Sequence, residues 1–236
     1  MLHLRSALYA IGFFITCPVY AVLCVLLFFL PFPKRHAFVA AFSDGALWWL
    51  KVTCGLTYRV EGKENLPSRA CVVMSNHQST WETLAFNQIL PPLAWVIKRE
   101  LLWIPFFGWA FSLMKPIGID RSAGQKAGDQ LIEQGRERLA RGLWILVFPE
   151  GTRVAVGEKR RYKPGGARLA CAAGVPVVPV AHDAGHYWPR RGFIKLPGTI
   201  NVSIGPPIDT AGKTPDEVTE QVREWVQGSV TETVDG

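Results

Sequence analysis

No charged residue occurs between Arg5 and Lys34. A helix that crosses the hydrocarbon core of a bilayer needs about 20 such residues, so this run is long enough to span. Pro18 divides it into two shorter halves, and Pro31 and Pro33 close it before Lys34-Arg35-His36. A kinked span and a pair of half-buried, re-entrant helices both satisfy that pattern. A secretory signal peptide does not: the apolar run is too long, and no small-x-small cleavage site follows before Pro33. A second, mostly apolar stretch runs from Ala37 to Leu50, broken by Ser43-Asp44, and brings Trp48-Trp49 beside Lys51. Tryptophans next to a lysine are typical of the membrane–water interface. Residues 1–54 are therefore expected to form membrane-anchoring helices. The basic residues after the first run place the rest of the chain on the cytoplasmic side, with Arg5 and the amino terminus counting the other way.

Beyond Gly55 the pattern changes. Leu56-Thr57-Tyr58-Arg59-Val60 alternates as a strand does. Ala70 to Ser75 reads as a buried strand, Glu82 to Leu90 as a helix stopped by Pro91-Pro92, and Ala94 to Ile97 as another strand. Leu101 to Met114 is rich in aromatic residues, which suits either core packing or the wall of an acyl-chain groove or membrane-contacting lip. Ile117-Gly118-Ile119 leads to Asp120-Arg121. Ala123 to Arg141 carries a helical stripe, and Leu143 to Phe148 is a central buried strand. Pro164-Gly165-Gly166 opens a short helix to Ala173. Val175 to Val180 is a strand expected at a sheet edge, because it contains two prolines. Ile200 to Ile204 is a further strand, and Pro215 to Gln227 a closing helix. Strands alternating with helices predict a single α/β domain over residues 55–236, with one mostly parallel sheet flanked by helices.

The 236 residues carry a net charge of +7, and 49% of them are apolar. The charge fits nucleic acid or an anionic membrane, and the apolar excess favours the membrane. No basic helix or aromatic nucleic-acid motif appears, so nucleic-acid binding is not expected. The five cysteines form no Cys-x-x-Cys pair, so neither a zinc site nor a disulfide framework is indicated.

The chemistry centres on Asn76-His77-Gln78-Ser79-Thr80-Trp81-Glu82, where a strand hands over to a helix. In a straight helix, residues five apart point roughly 140° from one another. His77 and Glu82 can meet only if His77 precedes the first turn and Glu82 lies inside it. The carboxylate then fixes one imidazole nitrogen and leaves the other free as a base. Arg121, Arg153 and Lys163 each lie at a strand end or beside a Gly-rich helix start. Such positions share one rim of an open α/β sheet and suit a phosphate. Lys98, Arg190 and Arg191 extend that basic rim toward lipid headgroups, and Lys98 is counted with the substrate-binding candidates.

Four blocks stand in order: Asn76-His77-x4-Glu82, Gly118-Ile119-Asp120-Arg121, Phe148-Pro149-Glu150-Gly151-Thr152-Arg153 and Val175-Pro176-Val177-Val178-Pro179-Val180. From about Gly55 to Pro207 the chain resembles the glycerolipid acyltransferases, specifically those acting on 1-acylglycerol-3-phosphate (lysophosphatidic acid). The resemblance implies acyl transfer from a thioester to the sn-2 hydroxyl of that lipid, giving phosphatidic acid. It implies His77 as general base, Glu82 as its orienting carboxylate, and Arg121 and Arg153 on the acceptor phosphate. Glu150, Gly151 and Thr152 would shape the pocket rim, with Pro179 supporting the site. The family usually has Asp where this chain has Glu82, one methylene longer. No metal or redox cofactor is implied; acyl-CoA or acyl-acyl carrier protein serves as co-substrate, and the lipid bilayer and lysophosphatidic acid are the other partners. The expected location is the cytoplasmic face of a bacterial inner membrane. Transfer to glycerol-3-phosphate or another lysolipid, thioester hydrolysis, and membrane binding without catalysis are the alternatives.

Overall fold

A computed structural model describes residues 1–120 and 123–234. The chain opens with two long helices, α1 (Leu2–Leu26) and α2 (Phe32–Cys54). It continues through β1 (Leu56–Glu61), β2 (Val72–Ser75), α3 (Trp81–Ile89), β3 (Leu93–Lys98), α4 (Phe107–Ser112) and β4 (Ile117–Ile119). Then follow α5 (Gln125–Ala140), β5 (Trp144–Val147), α6 (Gly165–Ala173), β6 (Val177–His182), the short α7 (Ala184–Tyr187), β7 (Gly198–Ile204) and α8 (Pro215–Val234).

The seven strands form one sheet in the order β1-β7-β6-β2-β5-β3-β4. All neighbouring pairs are parallel except β6 with β7. Alternation along β2 sends Val72 and Met74 to one face and Cys71 and Val73 to the other, and both faces are buried. One face packs with Leu47 and Leu50 of α2 and Phe86 of α3. The other packs with Leu131 of α5, Leu169 of α6 and Val222 of α8. Strands β6, β2 and β5 are adjacent and parallel, so all three release their carboxyl ends at the same rim.

Four details depart from the reading of the sequence. First, α1 is a single helix that runs through Pro18 rather than stopping there. Second, Pro33 opens α2 instead of closing the apolar run, since the first turn of a helix does not need its N–H. Third, α8 continues past Gln227 to Val234. Fourth, the proline-containing strand β6 lies inside the sheet, between β7 and β2. Val177 exchanges both backbone hydrogen bonds with Ile208, and Gly205 donates to the Pro179 carbonyl at 2.9 Å. The Pro179 nitrogen faces that same side, where the partner chain turns away through Gly205-Pro206-Pro207, so no ladder bond is lost.

Helices α1 and α2 form an antiparallel hairpin. Tyr20 stacks on Phe38 with ring centroids 5.0 Å apart, and Phe13 meets Phe42 at 5.8 Å. Trp49 donates its indole N–H to the Leu8 carbonyl. Gly12 is needed for this contact, because a Cβ there would lie 2.3 Å from the Trp49 Nε1. At its other side α1 docks on the segment after α7: the Lys195 N–H donates to Ser6 Oγ at 2.9 Å, and Tyr9 packs edge-on against Trp188. Among the described residues α1 is the one helix long and apolar enough to cross a membrane. Leu4, Phe14, Ile15 and Leu26 on it are exposed. The aromatic stretch before β4 is divided: Trp103, Phe106 and Trp109 are exposed, whereas Phe111 packs against the core and Met114 is buried.

Candidate active site

Residues 76–80 connect β2 to α3. Ser79 Oγ accepts the Trp81 N–H at 3.1 Å, and Glu82 sits in the first turn, where the helix dipole favours an anion. Its Oε1 accepts the backbone N–H groups of Gln78 (2.9 Å) and Ser79 (2.8 Å), as a carboxylate in a capping box reaches back. The same oxygen lies 2.8 Å from His77 Nδ1. His77 therefore precedes the first turn and Glu82 lies within it, which reconciles the five-residue spacing with direct contact. Because an ionised carboxylate only accepts, the His77 proton sits on Nδ1 and Nε2 carries the lone pair. The imidazole stacks on Phe148 at 3.9 Å between centroids and 11° between planes, which fixes its orientation.

Glu82 is fully buried. Burial pushes its carboxyl up, but the hydrogen bonds from His77 and the Ser79 N–H help hold it below the usual carboxylate range. His182, at the end of β6, is the group behind it, with Nε2 4.0 Å from Glu82 Oε1. Burial depresses the His182 imidazole, which is neutral: its Nδ1 accepts the Ala184 N–H (3.3 Å) and its Nε2 donates to the Asn76 carbonyl (3.0 Å). The Asn76 side chain completes the join, donating to the His182 carbonyl at 2.8 Å and accepting the His182 N–H at 3.1 Å.

The backbone of His77 is held on every side. Its N–H donates to Glu150 Oε2 at 2.7 Å, and its carbonyl accepts the Val154 N–H at 2.7 Å. The preceding carbonyl is bound by His182 and the following N–H by Glu82. Burial pushes the Glu150 carboxyl up to about 8, helped by the nearby Glu82 and opposed by the His77 N–H. Glu150 is buried against the His77 N–H and is not among the residues that line the cavity in front of His77.

In front of His77 opens a cavity of about 1,040 Å³. One end is basic and is lined by Lys98, Arg153 and Lys163, with Gly151 and Thr152 between them. Lys98 pairs with Glu100 at 3.5 Å, whereas Arg153 and Lys163 have no ion pair among the described residues. Gly151 has a φ of +73°, and a Cβ there would stand 3.3 Å from the Lys163 Nζ, so glycine lets the lysine cross the loop. Arg190 and Arg191 line this cavity too. The other arm is apolar and runs between the hairpin and α4, past Phe13, Tyr20, Phe42, Phe107 and Met114. Arg121 lies outside the described residues. The sequence did not single out His182 or a role for Asn76; the signal that could have found His182 is its place just after the apolar strand Val177–Ala181, on the rim that holds His77.

A family model described as Acyltransferase matches residues 57–183. The chain is 47% identical over 207 residues to the 1-acyl-sn-glycerol-3-phosphate acyltransferase of Pseudomonas aeruginosa, covering 86% of this chain and 80% of that protein. It is 34% identical over 194 residues to the Saccharomyces cerevisiae protein of the same name, covering 78% of this chain and 63% of the yeast one. The crystal structure of the 1-acyl-sn-glycerophosphate (LPA) acyltransferase PlsC from Thermotoga maritima superposes with a TM-score of 0.80 at 27% identity, over 99% of this chain and 98% of that one. The chain therefore belongs to the acyltransferase family, in its 1-acyl-sn-glycerol-3-phosphate acyltransferase group, and is an acyltransferase enzyme.

Proposed function

We propose that the protein moves an acyl group from a thioester to the sn-2 hydroxyl of 1-acylglycerol-3-phosphate, giving phosphatidic acid. The observation that carries the reading is His77, held 2.8 Å from the buried Glu82, on the wall of a cavity lined by both basic and apolar residues. Arg153 and Lys163 hold the acceptor phosphate, with Lys98 and the Gly151-Thr152 turn beside them, and Arg121 is assigned to the same task by its motif. The apolar arm takes acyl chain. With its phosphate fixed, the acceptor hydroxyl is presented to the thioester carbonyl at His77 Nε2.

His77 takes the hydroxyl proton at Nε2 as the oxygen attacks the carbonyl carbon, a contribution of about 10²–10⁴-fold in rate. Glu82 keeps the tautomer correct and stabilises the imidazolium. The tetrahedral intermediate collapses, the carbon–sulfur bond breaks, and the departing thiolate recovers the proton from His77. The thioester carbonyl is already electrophilic, so the reaction requires no metal or redox cofactor. The donor is acyl-CoA or acyl-acyl carrier protein. An acidic carrier would dock on the exposed Lys159-Arg160-Arg161 loop and lose affinity in salt. The apolar α1 supports work at a membrane, and the positive-inside bias assigns the cytoplasmic face.

The test is acyl transfer by purified protein in vesicles, with labelled donor and, in parallel, 1-acylglycerol-3-phosphate, glycerol-3-phosphate, a headgroup-bearing lysolipid or no acceptor. Label is expected in phosphatidic acid, and only with 1-acylglycerol-3-phosphate. Label in another acceptor's product replaces the substrate assignment, and free fatty acid regardless of acceptor makes the protein a thioester hydrolase.

A further inference from the structure

Imidazole is an expensive group to bury completely, since each nitrogen taken from water must find a partner. At the end of β6, between Ala181 and Ala184, a valine would be the cheaper occupant. His182 is nevertheless 2% exposed, and both its nitrogens are in use. The Ala184 N–H points at Nδ1, which makes Nδ1 the acceptor and forces the proton onto Nε2. That N–H can then donate only to what lies in front of it, the Asn76 carbonyl.

Strands β2 and β6 are paired up to Ser75 and Val180. Beyond that point the backbones diverge, and the next bonds are made by the side chains of Asn76 and His182. A fourth bond, from the Gly185 N–H to Gln78 Oε1 at 3.1 Å, closes the seam on the far side of His77. The Asn76 carbonyl belongs to the same rigid peptide plane as the His77 N–H, whose other end is held by Glu150. Holding both ends of one plane leaves the His77 Cα no freedom to tip.

We propose that His182 is a positioning residue for acyl transfer. Its Nε2–H holds the Asn76 carbonyl, and through the peptide plane between residues 76 and 77 it fixes His77 against Glu82 and the cavity. This rests on the reading of His77 as general base. His182 touches no substrate: it lies behind Glu82, on the side of the dyad away from the cavity.

Two amide substitutions separate the two ring nitrogens. Glutamine puts its amide nitrogen where Nε2 sits, whereas asparagine places its polar atoms where Nδ1 sits. His182→Gln is expected to keep kcat within about three-fold of wild type. His182→Asn is expected to lose about 30–100-fold in kcat with the KM of both substrates within about two-fold, the scale of a base displaced by roughly 1 Å. Equal kcat in the two variants, a better Asn than Gln variant, or an effect confined to KM overturns the proposal. Should His182→Asn not fold, as judged by circular dichroism and thermal melting, ¹⁵N-histidine NMR of the wild-type protein decides. A neutral Nε2–H tautomer for His182, assigned by the loss of its signals in His182→Gln, supports the proposal, and the Nδ1–H tautomer overturns it. His77→Ala runs alongside. An active His77→Ala protein removes the base itself and this inference with it, whereas an inactive one beside indistinguishable His182 variants removes the inference alone.

Discussion

Phe14 on α1 is 73% exposed, while Glu82 is fully buried and one of its oxygens accepts three hydrogen bonds. The two sites show how differently the N-terminal hairpin and the rim around His77 are specified. The outer face of the hairpin needs only to be apolar and helical, so many sequences serve. The rim needs particular atoms at particular distances, contributed by β2, β5 and β6 together. On the function proposed above, a change on the first surface is expected to alter where the enzyme resides, and a change at the second what it does.

The sharpest way to break that contrast is His77→Ala. Turnover is expected to fall by about 10²–10⁴-fold while the far-ultraviolet circular dichroism stays native. Near-normal turnover by the folded variant would show that the rim tolerates loss of its central side chain as the anchor does. Arg153→Ala comes next, with an expected rise of roughly 10–100-fold in the KM for 1-acylglycerol-3-phosphate, the usual scale for a lost hydrogen bond to a charged group. The KM for the acyl donor should move little; a parallel rise would place Arg153 on the donor.

On the other side of the comparison, Phe14→Ser combined with Ile15→Ser should weaken partitioning into vesicles by about 10–100-fold, as expected when two large apolar side chains leave hydrocarbon. In a sedimentation assay the variant stays in the supernatant, and with a short-chain, water-soluble acceptor its kcat should match wild type. A lost kcat there would mean that the hairpin reaches into the chemistry. The smallest effect belongs to Glu150. Burial pushes its folded carboxyl up to about 8, above the ordinary 4.5, so between those values the folded state is expected to keep a proton that the unfolded chain releases. Stability therefore falls as pH rises through that window. Glu150→Gln still accepts the His77 N–H but does not titrate. Its melting temperature should fall less than that of wild type between about pH 5 and 8, by a few degrees. Identical slopes would show that Glu150 ionises normally.

The two apolar N-terminal stretches and the sheet were legible in the sequence for physical reasons, because an absence of charge and an alternation are local. The His77–Glu82 pair stood out through the resemblance, and its five-residue spacing set only the bend that contact requires. The support behind the dyad was not legible. Glu150 and His182 reach the catalytic loop across 73 and 106 residues of chain, and each looks locally like an ordinary polar residue after a strand. Proline in β6 misled because the edge rule assumes a straight neighbour, and here the neighbour turns aside at Gly205.

Helix α1 is a wall of the reaction cavity as well as the most apolar surface of the molecule: Phe13, Cys17 and Tyr20 all line it. If α1 lies in the bilayer as proposed above, a lipid tail would pass from hydrocarbon to the cavity without crossing water. The rate then follows the mole fraction of acceptor in the membrane plane, not its amount per litre. Diluting that acceptor with inert phospholipid at constant bulk concentration is expected to slow turnover, and diluting the vesicles with buffer at a fixed donor concentration is expected to leave turnover per enzyme unchanged.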